Sequence, residues 1–329
     1  MNLEEFNQSD RCKHFTCPER SVSPAVYILL YVCSAAVVLL TVCGNLLVII
    51  SVFHFKQLHT PTNMLVLSLA VSDFFVGMSV MPLMLIWTIE SCWIFGRVFC
   101  TIYWLINSLL TISVYTIAQI AVDRYLALSN PFLYMNIVSV KITCAAVVLN
   151  WSITVAYISA LLYVNRNFTN SVMCPGECVL PMNMVWTIID LVYSFIFPLS
   201  VIIILYTLVF VIAKKHATAI RELNNHTRPK TQKITSHSMK SERKAAKVLC
   251  ILVSVFLICL LPYFIYSLLN DLIEIQTDTF QKLMVVGCLN STINPVIYAL
   301  FYPWFRRCIK LIITLQIFQT DSALINVLS

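Results

Sequence analysis

The chain has 329 residues, of which 59% are hydrophobic and only 11% are charged. A soluble domain has roughly a quarter of its residues charged, so this composition excludes a soluble protein and indicates a membrane protein. The formal net charge of +7 does not indicate nucleic-acid binding, because the basic residues border apolar segments.

Seven segments are apolar over about 20 residues, the length that a helix needs to cross a bilayer. They lie near residues 24–51, 62–88, 98–122, 141–163, 185–213, 246–269 and 280–302 and are called spans one to seven below. The chain has only 5 glycines and 12 prolines, which argues against a barrel with many turns and leaves helices to satisfy the backbone in lipid. We therefore predict an all-α membrane protein built as a seven-transmembrane helix bundle.

The distribution of basic residues predicts the orientation of the bundle. Ten lysines and arginines lie between spans five and six, whereas the connections on the opposite side carry mostly acids. The predicted parts are an extracellular N-terminus at 1–23, the bundle at 24–302, a short amphipathic eighth helix at 303–313 and a cytoplasmic tail at 314–329. We expect no cleavable signal peptide, because the first apolar run has full span length and no small-residue cleavage site precedes it.

The outer connections carry glycosylation sequons and cysteines. Asn7 and Asn167 head sequons that lie outside and are expected to be glycosylated, whereas Asn225 lies inside and Asn290 lies within a span. Cys12, Cys17, Cys92, Cys100, Cys174 and Cys178 lie in the oxidising compartment. A bridge from Cys100 to the loop before span five would pin that loop over the mouth of the bundle.

Several polar residues lie near the middle of the spans, where polar groups are expensive and usually functional. They are Asn45, Asp73, Ser113, Asn290, Ser291 and Asn294. One carboxylate with several neutral oxygens suits a sodium ion near Asp73, held by Asp73, Ser113, Asn290 and Asn294. The alternative is a water-filled hydrogen-bond network without an ion. Either interpretation predicts a polar hinge that helix motion can rearrange.

Several residues in the inner half of the bundle indicate that its helices can move. Asp123-Arg124-Tyr125 closes span three on the cytoplasmic side, where Arg124 can exchange partners and meet an inner protein. Pro198, Pro262 and Pro295 each interrupt a span and predict kinks. The sequence has no charged ring or filter repeat that would indicate a pore, and no matching halves that would indicate a transporter.

Seven short motifs fall on consecutive spans. They are Gly44-Asn45, Leu69-Ala70-Val71-Ser72-Asp73, Asp123-Arg124-Tyr125, Trp151, Pro198 with Tyr206, Phe256 with Pro262, and Asn294-Pro295-Val296-Ile297-Tyr298. In this order they resemble the rhodopsin-like (class A) G-protein-coupled receptors, over about residues 24–312. Three further stretches resemble the trace amine-associated receptors of that family: "CPER" from Cys17, "HFKQLHTPTNML" from His54 and "NSTINPVIYALFYPWF" from Asn290.

The resemblance implies roles for several residues and a partner. It implies activation roles for Asp123, Arg124, Tyr125, Pro198, Tyr206, Phe256, Pro262, Asn294, Pro295 and Tyr298. It also implies the disulfides Cys100–Cys178 and Cys17–Cys174, with Cys12 as an alternative to Cys17. The implied partner is a heterotrimeric G protein of the stimulatory type, and the implied location is the plasma membrane of olfactory sensory neurons.

The chain departs from the family in spans three and six. Amine receptors usually carry an aspartate in span three. Counting from Cys100 places that position at Asn107, and counting back from Arg124 places it at Ile106, so the counts differ by one and neither residue is acidic. Leu260 stands where a tryptophan usually precedes the span-six proline, which puts the usual toggle account of activation in doubt.

Asp190 is the one carboxylate in the apolar stretch from Trp186 to Pro198. It precedes Pro198 by eight residues, or about 12 Å of helix, and so lies in the outer half of span five. A carboxylate there costs about 2.5–3.5 kcal/mol on insertion scales, and no lysine or arginine lies at similar depth. A ligand ammonium would stabilise the ionised form. Some fish-type trace amine-associated receptors resemble this arrangement, with the acid moved from span three to span five.

The predicted ligand site combines this acid with an apolar and aromatic surround. Its residues are Asp190, Asn107, Ile106, Thr187, Ser194, Leu260, Tyr263, Phe264, Met284 and Cys288. The alternative is that Asp190 is structural and bonds other helices, for example through Thr187, Tyr193 or a span-three hydroxyl.

These observations predict a receptor for extracellular, odorant amines that raises cyclic AMP through a stimulatory G protein. One alternative is a class A receptor for a neutral, lipid or peptide ligand, with Asp190 structural. Another is a transporter, which the missing repeats disfavour. We predict no enzyme, because the sequence shows no nucleophile–base pair or metal cluster, and no cofactor apart from the sodium ion.

Overall fold

In the computed structural model of the chain, the described residues are 17, 23–172, 176–178, 184–226, 251, 254–263, 265–266, 277–319 and 322–327. These residues form helices and no strand. Six stretches among them are long and apolar enough to cross a membrane, and a shorter apolar helix, Ser254–Tyr263, lies within predicted span six. The prediction of an all-α bundle is confirmed.

The helices extend beyond the apolar segments at most ends. Span one is Pro24–His54, span three is Gly96–Ser129, span four is Val140–Val172 and span seven is Thr277–Phe301. Span two consists of Pro61–Phe75, a π-helical turn at Val76–Val80, and Met81–Glu90. Span five consists of Met184–Leu191, a π-helical turn at Val192–Ile196, and Phe197–His226. Below, the outer end of the bundle is the end that carries the N-terminus of span one.

Short helical elements lie at the inner end. A 3-10 turn at Lys56–Leu58 follows span one, and a loop helix at Pro131–Ile137 follows span three. The eighth helix, Pro303–Ile313, follows span seven, and two 3-10 turns at Gln316–Phe318 and Ser322–Leu324 come after it.

Local sequence explains where several helices begin. Proline stands in the first turn of spans one and two, of the loop helix and of the eighth helix, where its missing N–H needs no partner. Thr60 caps span two by accepting a hydrogen bond from the Asn63 backbone N–H at 3.3 Å. Asn130 caps the loop helix in the same way, at 3.1 Å from the Leu133 backbone N–H.

Both π-helical turns precede a proline. Pro198 has no backbone N–H and cannot donate to the carbonyl four residues earlier. Pro82, at the start of the second half of span two, lacks the same donor. A turn widened by one residue accommodates such a missing donor. The kink predicted at Pro198 is therefore observed as a π turn that includes Tyr193 and Ser194. Pro295 lies inside the helix of span seven.

Spans two, three and seven form the centre of the bundle. In their apolar stretches 56%, 50% and 56% of the residues are buried, compared with 17% in span four. Span one approaches this centre closely, because a Cβ atom at Gly44 would lie only 2.9 Å from the Cβ of Pro295. Glycine at this position lets the backbone of span one lie against the proline of span seven.

The disulfides confirm one predicted pair and correct the other. Cys100 is bonded to Cys178, which ties the loop before span five to the start of span three. Cys17 is bonded to Cys92 and not to Cys174, so the pairing implied by the resemblance was wrong. The Cα atoms of Cys17 and Cys92 are 5.5 Å apart, and a cysteine forms only one such bond. Cys12 and Cys174 lie outside the described residues, as does Asn7, and Asn167 is described by its backbone alone.

Candidate ligand site and the polar core of the bundle

Asp190 lies half-buried in the outer half of span five and receives two hydrogen bonds. Tyr157 of span four donates its hydroxyl to Oδ1 at 3.0 Å, and Ser194, one helical turn further along span five, donates to the same oxygen at 3.0 Å. Among the residues that the structure describes, no donor contacts Oδ2. The described residues thus orient the carboxylate through one of its two oxygens.

Three tyrosine rings pack in a row beside this carboxylate, beginning with Tyr157, which donates a hydrogen bond to it. The rings of Tyr157 and Tyr193 have their centroids 4.1 Å apart, and those of Tyr115 and Tyr193 are 5.3 Å apart. Each hydroxyl is held: Tyr115 donates to the Tyr193 carbonyl at 2.8 Å, and the Tyr193 hydroxyl lies 3.2 Å from that of Thr154. We call these three residues the tyrosine cage. Its aromatic faces are suited to an organic cation, which is attracted to the ring quadrupole.

The sequence reasoning missed Tyr157 and Tyr115 because they lie outside span five. A signal for Tyr157 exists in the sequence: Asn150, Thr154 and Tyr157 are spaced four and three residues apart in an otherwise apolar span. That spacing places them on one face of a helix. Asn150 donates to the Ile112 carbonyl at 3.3 Å, which confirms that this face of span four lies against span three.

The other predicted ligand residues belong mainly to a second group. Ile106, Tyr263, Met284 and Cys288 belong to one apolar cluster, in which Met284 and Cys288 are fully buried and the Tyr103 hydroxyl lies 3.9 Å from the sulfur of Met284. Leu260 packs in a different cluster, with Phe256. Thr187 lies one turn before Asp190 in span five, and Phe264 lies outside the described residues. These apolar residues thus lie in two clusters, and Ile106 is on span three, as is Tyr115.

Two polar atoms on span three lack partners. The Oδ1 atom of Asn107 and the Nε1 atom of Trp104 are buried, and neither has a hydrogen-bond partner among the described residues. Trp104 and Asn107 are three residues apart, so they lie on one side of the helix. A buried polar atom of this kind is costly unless water or a ligand pairs with it.

The predicted polar core is assembled around Asp73, which is fully buried. Its Oδ1 atom accepts hydrogen bonds from Ser113 at 3.1 Å and from Ser291 at 2.8 Å, and its Oδ2 atom accepts one from Asn294 at 2.7 Å. Asn45 of span one donates to the Ser291 carbonyl at 3.0 Å. Spans two, three and seven thus meet at one carboxylate, and span one is joined to them through the Ser291 carbonyl.

The chemistry of this core fits a small hard cation. Its ligand atoms would be carboxylate, hydroxyl and amide oxygens, and the buried Oδ1 atom of Asn45 has no partner among the described residues. Asn290 is buried one residue before Ser291. No group of three or more histidine, cysteine, aspartate or glutamate side chains that could hold a metal occurs in the described part of the chain.

Comparison with known proteins identifies the family. The family model "7 transmembrane receptor (rhodopsin family)" matches residues 44–298. The chain is 37% identical to trace amine-associated receptor 13c of Danio rerio, over 99% of the chain and 98% of that protein. It is 38% identical to trace amine-associated receptor 6 of Rattus norvegicus, over 95% of the chain and 93% of that protein. It is 35% identical to trace amine-associated receptor 4 of Mus musculus, over 94% and 91%.

The chain belongs to the trace amine-associated receptors of the rhodopsin family. It is therefore a multi-pass membrane receptor and not an enzyme, and its partners are a ligand and a heterotrimeric G protein.

The inner end of span three of this receptor carries a closed polar group. The Asp123 carboxylate accepts hydrogen bonds from Arg124 Nε at 3.0 Å, from Thr62 at 2.8 Å and from Tyr134 of the loop helix at 2.7 Å. The Arg124 guanidinium also donates to Thr62. Burial, together with the Asp123 carboxylate, raises the pKa of the Tyr134 hydroxyl, so it remains a donor at neutral pH. Arg124 is thus held by its own helix and by span two.

The remaining motif residues of the receptor lie in two apolar clusters. Phe256 of span six packs in the cluster that also contains Ile117 and Tyr206, below Pro198. Tyr298 is almost fully buried in a cluster with Val48 and Phe305, and its hydroxyl has no hydrogen-bond partner in the described residues. Tyr125 is half-buried, as is Pro262.

Proposed function

We propose that this receptor senses extracellular amines, that the ligand ammonium binds Asp190, and that binding raises cyclic AMP through a stimulatory G protein. The observation that carries the proposal is the state of the Asp190 carboxylate: Tyr157 and Ser194 both donate to Oδ1, and no described donor contacts Oδ2. The three relatives named above are all trace amine-associated receptors, which supports an amine ligand.

The charge balance of the site favours a cation. A carboxylate in the membrane costs about 2.5–3.5 kcal/mol on insertion scales, and two neutral hydroxyl donors offset only part of that cost. A charge-assisted hydrogen bond from an ammonium to Oδ2 is stronger than either. The tyrosine cage would lie against the same cation, and its rings add a cation–π attraction in a poorly screened site.

The body of the ligand would lie toward span three. Tyr115 of the cage and Ile106 of the apolar cluster are on span three, so an alkyl or aromatic body that extends from Asp190 would reach the residues around Met284. The buried Asn107 Oδ1 atom, which has no hydrogen-bond partner in the described part of the chain, offers an acceptor on the same span. These features suit a monoamine with an apolar body.

Transmission to the inner end would begin at the π turn. Tyr193 and Ser194 both lie in that turn. The α-helix that contains Pro198 begins directly after it, at Phe197. A ligand that draws Asp190 and the tyrosine cage together acts directly on a helical segment with weakened backbone bonding. The segment is followed by Leu199 and Val201, which pack against the cluster that contains Phe256 and Ile117.

We further propose a sodium ion at Asp73, held by Asp73, Ser113 and Asn294, with Asn290 beside them. The Asp73 carboxylate, the Ser113 hydroxyl beside it and the buried Asn45 Oδ1 atom, which has no hydrogen-bond partner among the described residues, support it; Asn294 donates its Nδ2 to Asp73 and would have to rotate its amide to offer an oxygen. The location proposed for the receptor is the plasma membrane of olfactory sensory neurons, with the N-terminus outside and glycans on Asn7 and Asn167.

A second candidate is a receptor for a neutral ligand, in which Asp190 is structural. The hydrogen bonds from Tyr157 and Ser194 favour it, because they are the kind of interhelical contacts that a structural carboxylate makes.

A ligand panel distinguishes the two candidates. Cells that express the receptor and a cyclic-AMP reporter are exposed to primary amines, to diamines and to alcohols of equal carbon skeleton. The amine proposal predicts responses to some amines and none to the matched alcohols. Equal responses to an amine and its alcohol would refute the role of Asp190 as the counter-ion.

A further inference from the structure

The chain does not leave the bundle as a free tail after the eighth helix. It reverses at Leu315, which has a φ of 57°, and passes through two 3-10 turns to reach Val327. Residues 311–329 contain a single charged residue, Asp321, and are otherwise apolar or neutral. A segment with so few charges gains by covering apolar surface. We call residues 322–327 the tail segment.

The tail segment is bound to the inner end of span one. The Ser322 hydroxyl lies 2.9 Å from His54 Nε2 and donates to the Ile317 carbonyl at 2.6 Å. The Val327 backbone N–H donates to Oε1 of Gln57 at 3.2 Å. Two polar contacts thus fix the two ends of the tail segment, one on the last residue of span one and one on the first inner loop, residues 55–60.

An apolar pocket receives the last described residue of the tail segment. Val327 is 1% exposed and packs in a cluster with Phe55, Leu58 and Cys308, which are all 0% exposed. Phe55 and Leu58 belong to the first inner loop, whereas Cys308 belongs to the eighth helix. We call this cluster the loop-one pocket. The loop-one pocket therefore joins the tail segment, the first inner loop and the eighth helix.

The eighth helix connects the loop-one pocket with span seven. Phe305, one turn before Cys308, packs against Tyr298, with ring centroids 6.3 Å apart at an interplanar angle of 86°. Trp304 packs on the cluster of Tyr298 and on the loop-one pocket. A change in the position of the eighth helix would therefore alter both clusters at once.

We propose that the loop-one pocket is a peptide-binding site whose ligand is the tail segment of the same chain, and that the bound tail segment restrains the eighth helix and the inner end of span seven. Binding that is tighter in one arrangement of the bundle stabilises that arrangement. A receptor without the contact should reach its signalling arrangement more often in the absence of any ligand. This proposal depends on the chain being a receptor of this family, but it does not depend on the amine site. The two proposals can therefore fail separately.

Cys308 provides a native probe of the contact. It is fully buried, and this burial raises the pKa of its thiol to about 11. A buried thiol with a raised pKa reacts slowly with maleimides, because the thiolate is the nucleophile. Release of the tail segment should expose Cys308 to the aqueous phase.

The first experiment measures maleimide labelling of Cys308, by peptide mass spectrometry, in membranes that contain the 329-residue chain. The Val327→Asp variant should label at least about tenfold faster than the wild type. Leu324→Asp is the matched control, since Leu324 is 60% exposed, and it should label at the wild-type rate. A chain that ends at Leu315 should label fast, and a free peptide of residues 316–329 should slow it again. Wild-type labelling of both Val327→Asp and the shortened chain would overturn the proposal.

The second experiment measures nucleotide exchange on the co-expressed G protein without an agonist. Val327→Asp should raise this basal exchange by about twofold or more relative to Leu324→Asp at equal surface density. Faster labelling with unchanged basal exchange would refute the restraint. If Val327→Asp does not reach the surface, the shortened chain decides both outcomes.

Discussion

Two aspartates lie inside this bundle, and their surroundings differ. Asp73 is fully buried and receives hydrogen bonds on both oxygens, from Ser113 and Ser291 on Oδ1 and from Asn294 on Oδ2. Asp190 is half-buried, and the two hydrogen bonds that it receives from described residues, Tyr157 and Ser194, both go to one oxygen. The described residues thus donate to both oxygens of Asp73 but to one oxygen of Asp190.

The difference shows that a carboxylate inside a membrane bundle can serve either of two purposes. Donors from spans three and seven hold Asp73, so its environment changes when those helices move relative to span two. Asp190 is held by its own helix and by span four, which is peripheral, with only 17% of its apolar stretch buried. The first arrangement suits a hinge that responds to motion, and the second suits a site that a ligand completes.

The largest expected effect is on the amine response of the Asp190→Asn variant. The substitution removes the charge but keeps the shape, and loss of a charge-assisted contact costs about 1.5–3 kcal/mol, or roughly ten- to a hundredfold in potency. The measurement is a dose–response curve by cyclic-AMP reporter at equal surface expression. Glu177→Gln, which neutralises an acid of the outer loop next to Cys178, is the control and should keep wild-type potency. Unchanged potency in Asp190→Asn would mean that Asp190, like Asp73, does not bind the ammonium. It would refute the proposed ligand site.

The next effect concerns a second acid on span three. Asn107→Asp should favour diamines over monoamines of equal length by about tenfold, because one more charge-assisted contact contributes about 1.5 kcal/mol. A monoamine gains little, since two unpaired carboxylates share a proton.

Ile106→Asp is the necessary companion variant, because the sequence places the usual acid at either position. The measured quantity is the ratio of diamine to monoamine potency. If both variants reach the surface and neither changes this ratio, Asp190 does not face span three across a shared site.

A smaller effect is expected from Tyr157→Phe, which removes one of the two donors to Asp190. A net hydrogen bond is worth about 1 kcal/mol, so amine potency should fall roughly fivefold. Tyr163→Phe is the matched control on the same span, since Tyr163 is 79% exposed. Equal potency in the two variants would mean that Tyr157 does not orient the carboxylate.

The smallest change in amine potency is expected from Asp73→Asn, which should stay within about threefold of wild type because the ammonium does not bind there. The same variant should lose the dependence of signalling on sodium. The test exchanges sodium for potassium, since organic cations would compete as amines. A variant with wild-type sodium dependence would remove the support for an ion at Asp73.

Much of this site was predictable from residues in one segment. Asp190 stands out because it is the one acid in an apolar run, and the convergence of Asp73, Ser113 and Asn294 follows from their similar depths. Tyr157 was missed, because its contact with Asp190 depends on how span four is rotated about its axis. Ile106 and Met284 pack in one apolar cluster, and the pocket that they would share with Asp190 stays a prediction.

The sequence alone determined the number and approximate positions of the spans, since a bilayer of known thickness requires about 20 apolar residues for each helix. It also determined which side chains are expensive in lipid and which prolines disturb a helix. Only the tertiary structure decided the partners: Tyr157 for Asp190, Cys92 for Cys17, and the loop-one pocket for the tail segment. Partners depend on the rotation and register of helices that are far apart in the chain, and local composition carries no record of those.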